Sequence, residues 1–248
     1  MIYTHSKFYY VDAVTASNLY LDFDEGGSEI NASLRVGAYT LTELAAEIAD
    51  RLTFYGTQTY TCVVDRDDRT FTISASSNFT LRVTTGANAS SSIYSVIGLT
   101  SNQTGSNSYT TGAVGSSYVT QFMLQDYVDG EDNRSLSQAS VNVAASGINE
   151  VLSFGDDINF QMNFRYINNY PQVSDSPIRN NATGVEEFRL LMRHCIKRYP
   201  IEFIADEDNT STYKKLIFQG TSYKLEERYG DGLAGYYDSG KLTFREIV

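Results

Sequence analysis

Tryptophan is absent from the 248-residue chain, and there are only two cysteines, two histidines and three prolines. Each scarcity removes a class of protein. Cys62 and Cys195 stand far apart and form no CxxC pair, so neither a secreted disulfide framework nor a zinc site is expected; they read as small buried hydrophobes. Three prolines and 18 glycines argue against collagenous or Pro-rich linker architecture. No apolar run approaches a membrane span, and Met1 to His5 shows no basic-then-apolar leader pattern, so no membrane insertion is expected. Basic residues are also in deficit, 19 against 30 acidic, for a formal net charge of −11. Such a surface repels phosphate, which disfavours a chain that grips nucleic acid.

What is abundant is tyrosine (19) and phenylalanine (13), within a 42% hydrophobic composition. That composition is incompatible with general disorder, and tyrosine, threonine and valine favour pleated, half-buried surfaces. The fold expected is mainly β with an α+β character. Short strands are expected at Asn18–Phe23, Thr59–Val64, Thr70–Ser74 and Phe79–Val83. Further ones are expected at Tyr118–Leu124, Val141–Ala144, Val151–Phe154, Asn159–Tyr166, Ile201–Ala205, Tyr213–Gln219, Tyr223–Glu227 and Lys241–Ile247. Two helices interrupt them. Thr40 with Glu43 forms a capping box ahead of Leu41, Leu44, Ala45, Ile48 and Leu52. Thr183 with Glu186 forms a second one ahead of Val185, Phe188, Leu191, Met192 and Cys195, which Pro200 terminates. Residues 101–117 hold almost nothing that can enter a core and read as a Ser/Gly/Thr-rich linker or loop. The organisation expected is an outer β-sandwich domain, residues 1–28 and 118–248, with a small α+β module, residues 29–100, inserted into it.

No catalytic constellation emerges. His5 lies near the start of the chain and His194 within a helix. Cys195 follows His194 directly, and adjacent helical positions do not share a face. No serine sits in a nucleophile elbow. The acidic groups Asp65/Asp67/Asp68, Asp129/Glu131/Asp132 and Asp206/Glu207/Asp208 fit no Ca²⁺-loop spacing and read as solvated turns. Seven Asn-x-Ser/Thr sequons, at Asn31, Asn78, Asn88, Asn102, Asn133, Asn181 and Asn209, read as products of Asn/Ser/Thr-rich turns. Catalytic, cofactor-binding and metal-binding residues are therefore none, no cofactor is expected, and the chain reads as a non-enzyme.

Two stretches resemble known proteins. Gly37–Ile48, followed by Tyr60–Asp65 and Phe71–Phe79, is similar to a module of phage virion and minor tail proteins. Ile178–Arg189, then Pro200–Asp206 and Gly235–Asp238, resembles tail-tip proteins of long-tailed bacteriophages. The resemblance implies a distal tail or baseplate-adaptor protein with a tail-tube-like β-sandwich. It implies a six-membered homo-oligomeric ring at the distal end of the tail, partnered by the tail-tube protein and by tail-tip hub or fibre proteins. DNA would only pass through the channel. Localisation would be the virion, after assembly in the host cytoplasm. Readings that remain open are a tail-tube or connector subunit, and a host-surface, carbohydrate-binding adhesin.

Overall fold

The computed structural model describes residues 5–113, 120–123, 133–136, 139–143, 149–153, 156–164, 167–168, 185–204, 212–227 and 235–247. In chain order the elements begin with β1 (His5–Tyr9), β2 (Tyr20–Asp24), β3 (Ile30–Ser33), α1 (Leu41–Tyr55), β4 (Tyr60–Asp65), β5 (Thr70–Leu81) and β6 (Gln103–Thr110). They continue with β7 (Thr120–Met123), β8 (Asn133–Leu136), β9 (Ala139–Val143), β10 (Asn149–Ser153), β11 (Asp156–Asn163), β12 (Ile167–Asn168) and α2 (Val185–Ile196). The last are β13 (Ile201–Ile204), β14 (Lys214–Phe218), β15 (Glu226–Glu227), β16 (Tyr236–Asp238) and β17 (Lys241–Glu246). Among the described residues the fold is mainly β with two α-helices, and the strands pair antiparallel in the registers given below. The chain divides into two compact units, one of Lys7–Thr120 with Tyr199–Tyr213, the other of Met1–Ser6, Gln121–Arg198 and Lys214–Val248.

The first unit is built on α1. The Thr40 hydroxyl accepts the Glu43 N–H at 3.2 Å, and the Glu43 carboxylate accepts the Thr40 N–H at 2.9 Å. The expected capping box is thus present, and it satisfies two donors that a helix start leaves open. Leu41, Leu44, Ala45, Ile48 and Leu52 are all buried along one stripe. They join a core with Leu21, Phe23, Phe71, Ile73, Phe79 and Leu81 from the sheet. Each such side chain contributes about 1.5–3 kcal/mol when fully buried. An edge-to-face chain of rings runs through this core: Phe23 to Tyr60 at 5.7 Å, Tyr60 to Phe79 at 5.1 Å and Phe79 to Tyr109 at 4.9 Å.

The sheet of this unit has β5 at its centre. β4 pairs along Thr70–Ala75 and β2 along Thr80–Leu81, while β6 pairs with β5 in the registers Thr72↔Thr110, Ser74↔Ser108, Phe79↔Ser106 and Leu81↔Gln103. β3 extends the sheet beyond β2. β1 pairs with β13, with Phe8 opposite Phe203.

In the second unit, β14, β17, β11 and β8 lie side by side, with Phe160 opposite Phe244 and Phe244 opposite Phe218. β9 and β10 form a separate hairpin pair, and β12, β16 and β15 a small sheet. Val185, Phe188, Leu191, Met192 and Cys195 bury the expected stripe of α2. Phe188 packs edge-on against Phe164 at 5.4 Å and Tyr223 at 5.6 Å. Thr183, the expected N-cap, lies outside the described residues, and Glu186 is ion-paired with Arg189 one turn on.

Three expectations change. Residues 103–110, expected within a linker, form β6: a Ser/Thr-rich strand is polar on both faces when one edge is solvated, and only Tyr109 of this strand enters the core. The separate strands at Thr70–Ser74 and Phe79–Val83 are one strand, β5, because exposed Ser76, Ser77 and Asn78 span a register irregularity opposite β6 rather than a turn. The contact division also departs from the expected boundaries. Residues 7–28 belong with the 29–100 region, since β2 pairs with β3 and β5, and Tyr199–Tyr213 joins them.

Candidate functional site

Among the described residues, those weighed for chemistry fall into dispersed positions. His5 opens β1, and His194 is buried in α2. Cys62 is half-buried on the helix-facing side of β4, and burial pushes its thiol up to about 12; burial raises the fully enclosed Cys195 thiol as well. Neither is a thiolate at neutral pH, so neither is primed as a nucleophile. Asp65, Asp67 and Asp68 occupy the exposed β4–β5 hairpin tip, where one Asp65 carboxylate oxygen accepts the N–H groups of Asp67 (2.9 Å) and Asp68 (3.1 Å). That is an Asx turn. Asp129/Glu131/Asp132 and Asp206/Glu207/Asp208 lie outside the described residues. Among the described residues no group of three His, Cys, Asp or Glu is placed to hold a metal ion.

Four carboxylates with strongly engaged sites went unnoticed in the sequence, and each ties a loop or helix end. Asp22, fully buried on β2, accepts from the Asn31 and Asn88 amides at 3.0 Å each and from the Asn88 N–H. Glu25 accepts the Thr57 N–H at 3.0 Å, the Gln58 N–H at 3.1 Å and the Tyr60 hydroxyl at 3.0 Å, and also the Thr57 hydroxyl. Burial alone would raise the Glu25 pKa, but these donors outweigh it and hold the carboxyl below its usual range. Glu47, buried on α1, sits between Arg35 and Arg51. The arginine donors likewise overcome desolvation and lower its pKa.

Glu202 on β13 is fully buried. One of its oxygens accepts the Thr42 N–H in the first turn of α1 at 2.9 Å, and the other accepts Arg66 Nε at 2.9 Å. Arg66 also donates to the Thr42 hydroxyl at 2.7 Å and lies 4.6 Å over the Tyr213 ring. A carboxylate thereby meets the positive end of the α1 dipole. Beside this cluster the Tyr9 hydroxyl is buried with no hydrogen-bond partner among the described residues. Its pKa is raised by desolvation first and by Asp67 second. These four acids are saturated by fixed intramolecular donors, so their work is to hold the fold.

What faces outward is of another kind. Thr61 and Val63 of β4, Thr72 and Ser74 of β5, and Ser108 and Thr110 of β6 share the side of the sheet away from α1. Hydroxyl pairs stitch it together, Thr72 to Thr110 at 2.9 Å and Ser74 to Ser108 at 2.7 Å. Val63 stands 63% exposed within it. A second outward feature is the Phe54–Tyr55 ring pair at the end of α1, with Phe54 73% exposed and Arg51 over its ring at 5.9 Å. Both are exposed features of the first unit. No known protein-family model and no curated protein sequence matches the chain.

Proposed function

We propose that this chain is a structural virion protein, a ring-forming subunit at the distal end of a long-tailed phage tail that links the tail tube to the tail-tip or receptor-binding apparatus. The observation that carries the reading is the division of labour among its polar groups. The buried carboxylates are spent on internal caps and loop ties, and the outward features of the first unit are a hydroxyl-lined sheet face, an open strand edge and exposed aromatics. Those are the means of protein–protein assembly. The resemblance supplies the specific setting: its first stretch falls on the capped helix α1 with the β4–β5 hairpin, and its second on α2 and β13. The net charge of −11 suits a subunit beside passing DNA, which it would repel rather than hold. The partners in this reading are further copies of the chain, the tail-tube protein and hub or fibre proteins. Antibody against the chain, viewed by negative stain on whole particles, should decorate the distal tip alone. Decoration along the whole tail would instead make it a tube subunit, and label at the head–tail junction a connector.

A further inference from the structure

We infer that the outer edge of β6 is a self-docking edge, which takes the β6 strand of a second copy in antiparallel pairing about a two-fold axis. The Thr111 N–H donates to the Phe71 carbonyl at 2.8 Å. In an alternating antiparallel ladder the backbone groups of Tyr109 then also face β5, and those of Ser108 and Thr110 face away from it. Among the described residues β6 pairs only with β5, and Ser108 and Thr110 are exposed. Two usual guards of such an edge are missing, since Gln103–Thr110 contains no charged residue and no proline; the register irregularity around Gly105 lies on the Gln103 side of Ser108, away from the Ser108–Thr110 end.

One local substitute stands in their place. The Ser106 hydroxyl accepts the Ser108 N–H at 3.2 Å and donates to the Ser108 carbonyl at 3.0 Å. A single side chain thus occupies both outward-facing groups of Ser108. Such a local bond competes with strand pairing and yields to it by a rotation about one side-chain torsion.

The occupant follows from charge. From Val83 to Gln125 the sequence has no Asp, Glu, Lys, Arg or His, although the chain as a whole carries −11. β6 lies in the middle of that neutral stretch. Like-charged copies approach at least cost where neither presents charge, and an identical strand is self-complementary in antiparallel register. This inference stands independently of the tail-tip reading, because a two-fold contact joins pairs of copies whether or not a ring also forms.

The test uses the full chain and two substitutions of opposite expected sign, read by sedimentation equilibrium. Ser108→Pro removes an N–H that faces away from β5, so it blocks the edge without breaking the β5–β6 ladder. Each interface loses two hydrogen bonds by symmetry, and dimerisation should weaken by about tenfold or more. Ser106→Ala removes the competing hydroxyl and should tighten dimerisation several-fold. Far-UV circular dichroism should stay near the parent in both; the urea midpoint should stay near the parent for Ser106→Ala and fall slightly for Ser108→Pro, which also loses the Ser74–Ser108 hydroxyl bond. Self-association equal in parent and Ser108→Pro overturns the inference while leaving the ring reading standing. A parent and a Ser106→Ala variant that both stay monomeric throughout overturn it too, as does protection of β6 amides from exchange only when a different polypeptide is added. The ring reading is judged separately, by where antibody binds the particle.

Discussion

Replacing Glu202 tests whether a residue of β13 caps α1 from 160 positions away. Glu202→Ala removes an acceptor from the Thr42 N–H, a bond to a charged group worth about 1.5–3 kcal/mol. It also strips Arg66 of its carboxylate partner, and breaking a buried pair typically costs about 3–5 kcal/mol. Here the upper figure does not apply in full. The Arg66 side chain is 15% exposed and keeps both the Thr42 hydroxyl and the Tyr213 ring, so part of its charge is re-solvated in place. The expected loss is about 3 kcal/mol, a large share of the roughly 5–15 kcal/mol that holds a domain together. Glu202→Gln is no rescue, since its single amide oxygen cannot accept from both the Thr42 N–H and Arg66 Nε, and its NH2 would face one of those donors. The assay is urea unfolding followed by far-UV circular dichroism and tyrosine fluorescence, which no tryptophan obscures. A cycle with Arg66→Met should return a coupling of about 1–3 kcal/mol. A loss below about 1 kcal/mol for Glu202→Ala, or a coupling near zero, would refute the cap.

Three further outcomes are expected. Gly98→Ala should destabilise by at least about 1–3 kcal/mol, because φ at this position is +83° and an added Cβ would lie 2.4 Å from the Gly112 carbonyl oxygen; an unchanged thermal midpoint would contradict that close approach. Glu25 has its folded-state pKa lowered, so its contribution is present above the unfolded value near 4.3 and is lost as pH falls through the folded value. Thermal midpoints measured from pH 7 downward should therefore drop less steeply for Glu25→Gln than for the parent on the acid side; parallel curves would count against the Thr57, Gln58 and Tyr60 donors. Tyr9→Phe deletes a buried hydroxyl without a partner among the described residues and should leave stability equal or raise it by up to about 1 kcal/mol; a loss larger than that in chemical denaturation would reveal a bond the hydroxyl makes.

The parts of the fold readable from sequence are those governed by one local rule. Thr40 and Glu43 mark the start of α1 because a capping box is a three-residue device, and the stripe from Leu41 to Leu52 marks its buried face because helical period needs no outside information. The stripe from Val185 to Cys195 is legible for the same reason. β6 escapes notice because its strand character resides in its partner: Ser108 and Thr110 are held by Ser74 and Thr72 across the ladder, and polar composition alone reads as loop. Alternation of Ser and Thr opposite another Ser/Thr strand is the signal that would have found it. The sequence around Glu202 shows only a short strand, Ile201–Ala205. Its burial depends on Thr42 and Arg66, which no window of sequence around residue 202 contains.

The pairing of Tyr199–Tyr213 with the Lys7–Thr120 region bears on how the chain is made as well as on how it stands. During synthesis from the amino terminus, α1 and its sheet emerge long before β13 does, so the Thr42 N–H waits for its distant carboxylate until a further 160 residues have been translated. A gene fragment ending after residue 120 encodes α1 with its capping box but without the carboxylate that accepts the Thr42 N–H. Recombination that exchanges the unit between related chains would need four crossovers, one at each edge of its two segments, and an expression trial of the isolated fragment should yield an α1 whose first turn keeps the Thr40–Glu43 box but leaves the Thr42 N–H without its carboxylate.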